Sequence, residues 1–256
     1  MSNPSKIAVV TGASSGIGAA TAKLLSKNGY LVIAGARRID RLQKLAEGNP
    51  HIEIHELDVT SQASVDAFIA RFASRQVDLL VNNAGGAFDS NSVLDSDPDV
   101  WKKSYEVNVV GAVRMSKAIA PTMIHHGKGH IVFITSTAGH VAYENGGSYV
   151  AAKFAERSLV NTLRLELNGT PIRVTEIAPG MVKTDEFALV RNAGDSAKAA
   201  KVYEGVENPL TAEDIAESIY WSTSLPAHVN IDSMVIRPVA QAANHKIHRG
   251  PLKNNH

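Results

Sequence analysis

The 256-residue chain contains no cysteine, which excludes disulfides, thiol catalysis and cysteine-ligated metal and removes any positive argument for an oxidising compartment. Aromatic residues are few, at 5 %. An excess of one charge sign is missing as well: 26 Lys and Arg stand against 25 Asp and Glu, for a formal net charge of +1, and the basic residues are spread along the sequence. No basic tract argues for nucleic acid or an anionic membrane surface. No apolar run approaches bilayer-spanning length, and Met1-Ser2-Asn3-Pro4-Ser5-Lys6 is not the basic segment followed by an apolar one that directs export. Among the 10 histidines, the pair His125-His126 is adjacent and cannot share a helix face, so no metal site is expected. The expectation is a soluble cytoplasmic protein without nucleic-acid or membrane partners.

With 44 % hydrophobic residues, a chain of this length can bury one large core and needs no second domain. Short aliphatic runs alternate with longer amphipathic segments, the pattern of a parallel sheet covered by helices on both faces. Strands are expected at 7–11, 31–36, 52–57, 79–82, 130–134, 172–177 and 233–236. The connections are short except for 184–208, which holds Phe187, Arg191, a Gly194-Asp195 turn signal and an Ala/Lys-rich helical piece; it reads as a substrate lid. Residues 1–243 form the expected domain. The tail, 244–256, is rich in His, Lys and Arg, and disorder is its expected fate.

Two segments carry chemistry. Thr11-Gly12-Ala13-Ser14-Ser15-Gly16-Ile17-Gly18 follows the apolar run Ile7-Ala8-Val9-Val10 and leads into a helical pattern. Glycine lets a backbone approach a diphosphate closely, and a helix N-terminus offers free N–H groups and a favourable dipole. Downstream, Tyr149 and Lys153 are four residues apart at the start of another helical pattern, so phenol and ammonium share one face. A free tyrosine has a pKa of about 10; a neighbouring ammonium favours its phenolate and makes it a better base. Between these segments, the second strand ends in Gly35-Ala36-Arg37-Arg38. NAD enzymes usually place a carboxylate there for the ribose 2′-hydroxyl, whereas a guanidinium can pair with a 2′-phosphate. NADP(H) is thus favoured, with Arg37 as main contact and Ser14 and Arg38 in support; the other reading of the arginines is a solvated strand end. Asp40 reads as a helix N-cap.

The glycine spacing, together with Asn82-Asn83-Ala84-Gly85, Asn108, Ser136, Tyr149-Val150-Ala151-Ala152-Lys153 and Pro179-Gly180, resembles the short-chain dehydrogenase/reductase family from end to end. The resemblance implies an α/β fold: a single doubly wound Rossmann domain with a seven-stranded parallel sheet and helices on both faces. It implies hydride transfer, with Tyr149 as proton donor, Lys153 tuning it, Ser136 orienting the substrate oxygen, and Asn108 anchoring a water chain from Lys153 to solvent. Thr135 and Thr137 also carry hydroxyls, and only the family register selects Ser136. Asn108 also reads as a purely structural buried amide. The resemblance places Asp58 and Val59 at the adenine, although Asp58 reads equally as a cap for the next helix. It places Asn83, Ala84 and Gly85 against the adenosine ribose, and Pro179, Gly180, Val182 and Thr184 near the nicotinamide carboxamide and phosphate.

The second half is similar to the NADP-dependent dehydrogenases of serine, 3-hydroxypropionate and related 3-hydroxy acids, through Glu176-Ile177-Ala178-Pro179-Gly180-Met181-Val182, Glu186-Phe187-Ala188-Leu189-Val190-Arg191 and Leu225-Pro226-Ala227-His228-Val229-Asn230-Ile231. An acidic substrate needs a cation near the nicotinamide, and Arg191 is the candidate; Tyr143 either lines the pocket or packs its loop, and Arg249 is a candidate second cation for a neighbouring subunit. Two further readings stand beside the hydroxy acid: reduction of a small aldehyde or ketone such as sulfoacetaldehyde, and a catalytically silent NADP-binding regulator. Long helices at about 99–126 and 149–167 resemble the family's paired-helix interfaces and imply a homotetramer.

Overall fold

Alternate residues of the strands feed two separate cores, one on each face of a single sheet. In β1 (Lys6–Thr11), Val9 enters one apolar cluster while Ala8 and Val10 enter the other. The same alternation divides Ile33 from Val32 and Ala34 in β2 (Tyr30–Ala36), Leu80 from Leu79 and Val81 in β4 (Leu79–Asn82), and Ile131 and Phe133 from Val132 and Ile134 in β5 (Gly129–Ile134). Strands buried on both faces read as continuous aliphatic runs, which is why the sequence shows them so clearly. In this computed structural model residues 4–252 are described.

One face is covered by α3 (Gln62–Ala70), α5 (Gly111–His125) and α6 (Gly147–Glu166), through Phe68, Met115, Ile119, Met123 and Val160. The opposite face is covered by α1 (Gly16–Lys27), α2 (Ile39–Ala46) and α9 (Ala212–Ser224), through Leu25, Leu42, Leu45, Ile215 and Ile219. Each such fully buried side chain contributes about 1.5–3 kcal/mol relative to exposure. The remaining strands are β3 (Ile52–Glu56), β6 (Ile172–Pro179) and β7 (Ser233–Ile236); α4 (Pro98–Tyr105) runs into α5 through a π-helical turn at Glu106–Val110. All seven strands are parallel, in the order β3-β2-β1-β4-β5-β6-β7. Strand order reverses between β1 and β4, and the crevice at their carboxyl ends is where such sheets bind ligands.

The lid folds as two short helices, α7 (Phe187–Arg191) and α8 (Ser196–Tyr203). Asp195 caps α8 by accepting from the Lys198 N–H. Disorder of the tail is not what the structure shows for its described part. Gln241–Ala243 and Lys246–Ile247 pair as the hairpin strands β8 and β9. Asn244 Nδ2 then donates to the carbonyls of Thr137 and Val141, and the Gly250 N–H to Gly205 O at 2.6 Å. These bonds engage carbonyls outside the sheet, so the tail is held by backbone acceptors rather than by an apolar face. Residues 253–256 lie outside the described part. Among the described residues no helix is long and apolar enough to cross a membrane.

Candidate active site

A cleft of about 960 Å³ opens at the switch point and runs from the glycine segment, past the ends of β1, β4 and β5, to the lid. Thr11 joins the two central strands: its Oγ1 accepts from the N–H groups of Asn83 and Ala84, at 3.0 and 2.9 Å. Asn83 Nδ2 in turn donates to Thr11 O at 2.9 Å. Gly12 adopts φ +65°, and a Cβ there would lie 2.9 Å from the Ala84 Cα, just past β4, so the turn tolerates no side chain at this position. Ser15 precedes α1, whose N-terminus faces the cleft; free N–H groups and a positive dipole end are thereby presented to an anion.

Of the two arginines after β2, Arg38 is the one tied into this segment. Its Nη2 donates to Ser14 Oγ at 3.0 Å and Ser15 Oγ at 3.1 Å, and the guanidinium grips the lid carboxylate of Glu186. Arg41 joins the same carboxylate, and Ser15 Oγ donates to it at 2.8 Å. Arg37 is exposed at the rim of the cleft and makes no side-chain hydrogen bond among the described residues. Arg38 also occupies the N-cap of α2, which places Asp40 in the first turn rather than at the cap. Asp58 does not cap α3: Ser61 does, accepting from the Ser64 N–H. Burial acts to raise the Asp58 carboxyl, but Oδ1 accepts from Thr60 N and Oγ1, and these bonds together with Arg37 and Arg114 hold it below the usual range. Val59 buries its side chain against Gly111 and borders the cleft.

The deepest wall is built by β5 and α6. Ser136 Oγ accepts from the Ala138 N–H at 3.1 Å and donates to Pro179 O at 3.4 Å. Thr135 is spent elsewhere, its Oγ1 donating to Glu176 at 2.8 Å. One turn apart on α6, Tyr149 and Lys153 are both buried, with Lys153 Nζ 5.7 Å from the Tyr149 ring centroid. Nζ donates to Ile134 O at 2.9 Å and to Glu156 at 2.6 Å. Burial works against the Lys153 ammonium, yet attraction by Glu156 and then Tyr149 outweighs it and lifts the group above its ordinary value. Asn108 lies in the π turn and is fully buried; its amide accepts from Gly86 N and donates to the carbonyls of Gly86 and Ser104. Gly85 separates the two: a Cβ there would stand 2.5 Å from Asn108 Oδ1 and 3.5 Å from Lys153 Nζ. Any side chain at that position would enter the site.

The segment that follows β6 borders the same cleft. Thr184 comes within contact distance of a Cβ placed on Gly16, and Tyr203 Oη donates to Val182 O at 3.0 Å. Gly180 and Met181 are held by Gln241, whose Oε1 accepts from the Met181 N–H at 2.8 Å. Phe187 meets the Tyr149 ring edge-on, with centroids 5.5 Å apart. Arg191 lies 5.4 Å from the Tyr143 ring centroid and donates to Asn145 O at 3.1 Å. Burial raises the Tyr143 hydroxyl above its usual value against the pull of Arg191. Arg249 turns to its own chain, donating to the carbonyls of Glu204 and Val202. Glu156, Glu186 and Gln241 have no role in the sequence reading, and Phe187 is there only one member of the lid segment. Glu156 stands three residues after Lys153 on the same helix, a spacing that marks the pair, whereas the contacts of Glu186 and Gln241 cross from one segment of the chain to another.

The same arrangement of chain is found in known proteins. The description "short chain dehydrogenase" matches residues 6–195. The NADP-dependent 3-hydroxy acid dehydrogenase YdfG of Salmonella typhi is 40 % identical over 247 residues, covering 95 % of this chain and 99 % of that protein. An uncharacterized oxidoreductase of Mycobacterium tuberculosis is 48 % identical over 238 residues, 93 % of each chain. Among solved structures, the closed form of serine dehydrogenase complexed with NADP+ superposes with a TM-score of 0.88 at 38 % identity, over 95 % of this chain and 99 % of that one. With the sheet order, the glycine turn and the Ser136, Tyr149 and Lys153 wall in place, these matches make the chain a member of the short-chain dehydrogenase family.

Proposed function

We propose that the protein is an NADP(H)-dependent oxidoreductase that interconverts the alcohol and carbonyl forms of a small 3-hydroxy acid of the serine or 3-hydroxypropionate type. The observation that carries the reading is the buried Lys153 ammonium beside the Tyr149 ring, at the floor of a cleft whose far end is a cluster of serines and arginines. The residues fit the cofactor. The glycine turn leaves room that a Cβ would fill, and the serine–arginine cluster already holds an anion, the Glu186 carboxylate. Gly12, Ser14, Ser15, Gly16, Ile17 and Gly18 would hold the diphosphate, Arg38 and Arg37 with Ser14 the 2′-phosphate, Asp58 and Val59 the adenine, and Asn83, Ala84 and Gly85 the adenosine ribose. Tyr149 and Lys153 would hold the nicotinamide ribose, and Pro179, Gly180, Val182 and Thr184 the carboxamide side. When bound, the cofactor supplies or accepts the hydride.

This chain's part is to manage the proton and the substrate. Tyr149 passes a proton to the oxygen that becomes the alcohol, and takes it back in the oxidative direction. Lys153 favours the phenolate by charge. Ser136 holds the reacting oxygen against Tyr149 and shares its developing charge. Asn108 braces the loop at Gly86 and, in this reading, anchors the water path from Lys153. Arg191, stacked on Tyr143, supplies the cation for the substrate's acid group. A sulfonate fits that guanidinium as well as a carboxylate does, so sulfoacetaldehyde remains a second substrate reading. The exposed side chains of Tyr105, Val113 and Phe154 on α4, α5 and α6 support a homotetramer, which light scattering measures.

The test follows nicotinamide absorbance with NADP or NAD and serine, 3-hydroxypropionate or 3-hydroxybutyrate, and with NADPH and sulfoacetaldehyde. Turnover that needs NADP, disappears in Tyr149→Phe and shows a raised KM in Arg191→Ala supports the full reading. Turnover of the sulfonated aldehyde alone moves the substrate. NADP binding without turnover favours the regulatory reading.

A further inference from the structure

Beneath the reaction centre lies a carboxylate that the proposed mechanism does not use. Glu156, one turn beyond Lys153 on α6, is 2 % exposed and places Oε2 2.6 Å from Lys153 Nζ. We propose that Glu156 is a positioning residue of the reaction centre: it is the counter-ion that keeps the buried Lys153 charged and fixed between Ile134 and the Tyr149 ring. This inference rests on the reading of Lys153 as the group that tunes Tyr149.

A buried lysine loses its proton more readily than an exposed one, because burial disfavours the ammonium. The Ile134 carbonyl satisfies one N–H but carries no charge. Glu156 supplies the charge, and its attraction is the leading effect that overcomes burial of Lys153. The arrangement is costly, since a buried ion pair is often no more stable than well-packed apolar side chains of the same volume. Here it holds the ammonium beside the proposed proton donor.

The groups facing the pair come from three elements. On α6 they are Tyr149 and Arg157; on β6, Glu176; after β5, His140. Glu176 is occupied separately, accepting from Thr135 at 2.8 Å and Ser233 at 2.6 Å, with His140 Nε2 at 3.2 Å and Arg157 at 3.9 Å. Burial and the nearby Glu176 push the Glu156 carboxyl up to about 7 although Lys153 pulls it down, so the carboxylate is fully charged only above neutral pH. The pair therefore depends on each partner's charge for its own.

The test is Glu156→Gln, which keeps the shape and an acceptor oxygen but removes the charge. In the cofactor-free protein labelled with 13C at lysine Cε, the Lys153 signal, assigned by its loss in Lys153→Arg, should keep its charged position through pH 10 in the wild type. In Glu156→Gln it should titrate at least about one pH unit lower. In turnover with NADP and serine, the rising oxidative limb should move to lower pH by a similar amount, because a negative charge has left the proton-holding cluster, and the plateau rate should fall. An unmoved lysine titration in folded Glu156→Gln overturns the proposal, whatever happens to stability. If Gln prevents folding, Glu156→Asp draws the carboxylate back by one methylene and should give a smaller shift in the same direction; no shift again overturns it. Tyr149→Phe separates the two readings. Undiminished turnover there removes the proposed chemistry and this inference with it, whereas a dead Tyr149→Phe with an unmoved lysine removes only the role of Glu156.

Discussion

Glu186, immediately before the lid helix α7, grips Arg38 through two parallel hydrogen bonds: Nη1 donates to Oε1 at 2.6 Å and Nη2 to Oε2 at 2.7 Å. The lid thus reaches across the cleft and sets its own carboxylate among serine and arginine donors suited to a phosphate. An internal anion on an anion site must be displaced before an external one binds, and the free energy of that displacement is subtracted from affinity.

Glu186→Gln should therefore tighten NADP(H). The pair is partly solvated, with side-chain exposures of 41 % for Arg38 and 23 % for Glu186, so the contact is worth up to about 1 kcal/mol, a fall in Kd of roughly fivefold. Fluorescence titration of NADPH measures it. Weaker binding in the variant would mean that Glu186 supports the cofactor site rather than competing for it.

Arg38 and Arg37 should differ in their effect on cofactor choice. Arg38 is aligned by Ser14 and Ser15, whereas Arg37 is exposed at the rim. Arg38→Ala should weaken NADP(H) by about 2 kcal/mol, roughly thirtyfold, with little effect on NAD(H). Arg37→Ala should do less. Calorimetry with both cofactors decides the order, and a larger NADP(H) loss in the Arg37 variant would return the main contact to that residue.

Acid should destabilise the fold through His130. This residue is 3 % exposed on β5, with Nε2 2.8 Å from Thr175 Oγ1, and burial followed by the charge of Arg173 pushes its imidazole down to about 3. An unfolded histidine takes a proton near pH 6.5. Between that pH and about 3, the unfolded chain binds one more proton at this site than the folded one, so stability is complete above the window and declines as pH falls through it. His130→Gln should flatten the dependence by up to about 1.4 kcal/mol per pH unit. Urea unfolding at pH 7, 6 and 5 gives the slopes; parallel slopes in wild type and variant would clear His130 of the acid sensitivity.

Much of the architecture is local and was legible without coordinates. The strand at 79–82 is observed at Leu79–Asn82, because a strand buried on both faces is an unbroken apolar run; the one at 233–236 is observed at Ser233–Ile236, an edge strand of half-buried and exposed residues marked by its Met234-Val235-Ile236 run. The glycine turn is readable since no other residue fits its φ and its contacts. The pairing of Tyr149 with Lys153 follows from helical spacing. The ordered tail was not legible: Asn244, Arg249 and Gly250 are polar or flexible residues whose partners are backbone carbonyls far away in sequence.

The sequence by itself determined the sheet, the direction of its connections and the presence of a glycine turn followed by a Tyr–Lys face, since each is a matter of spacing along one element. Only the tertiary structure decided which arginine meets the serines, that Glu186 spans the cleft to reach it, and that Glu156 lies under Lys153 without solvent. Those are charge relationships, and their strength depends on distance and on the exclusion of water, which spacing along a chain does not encode.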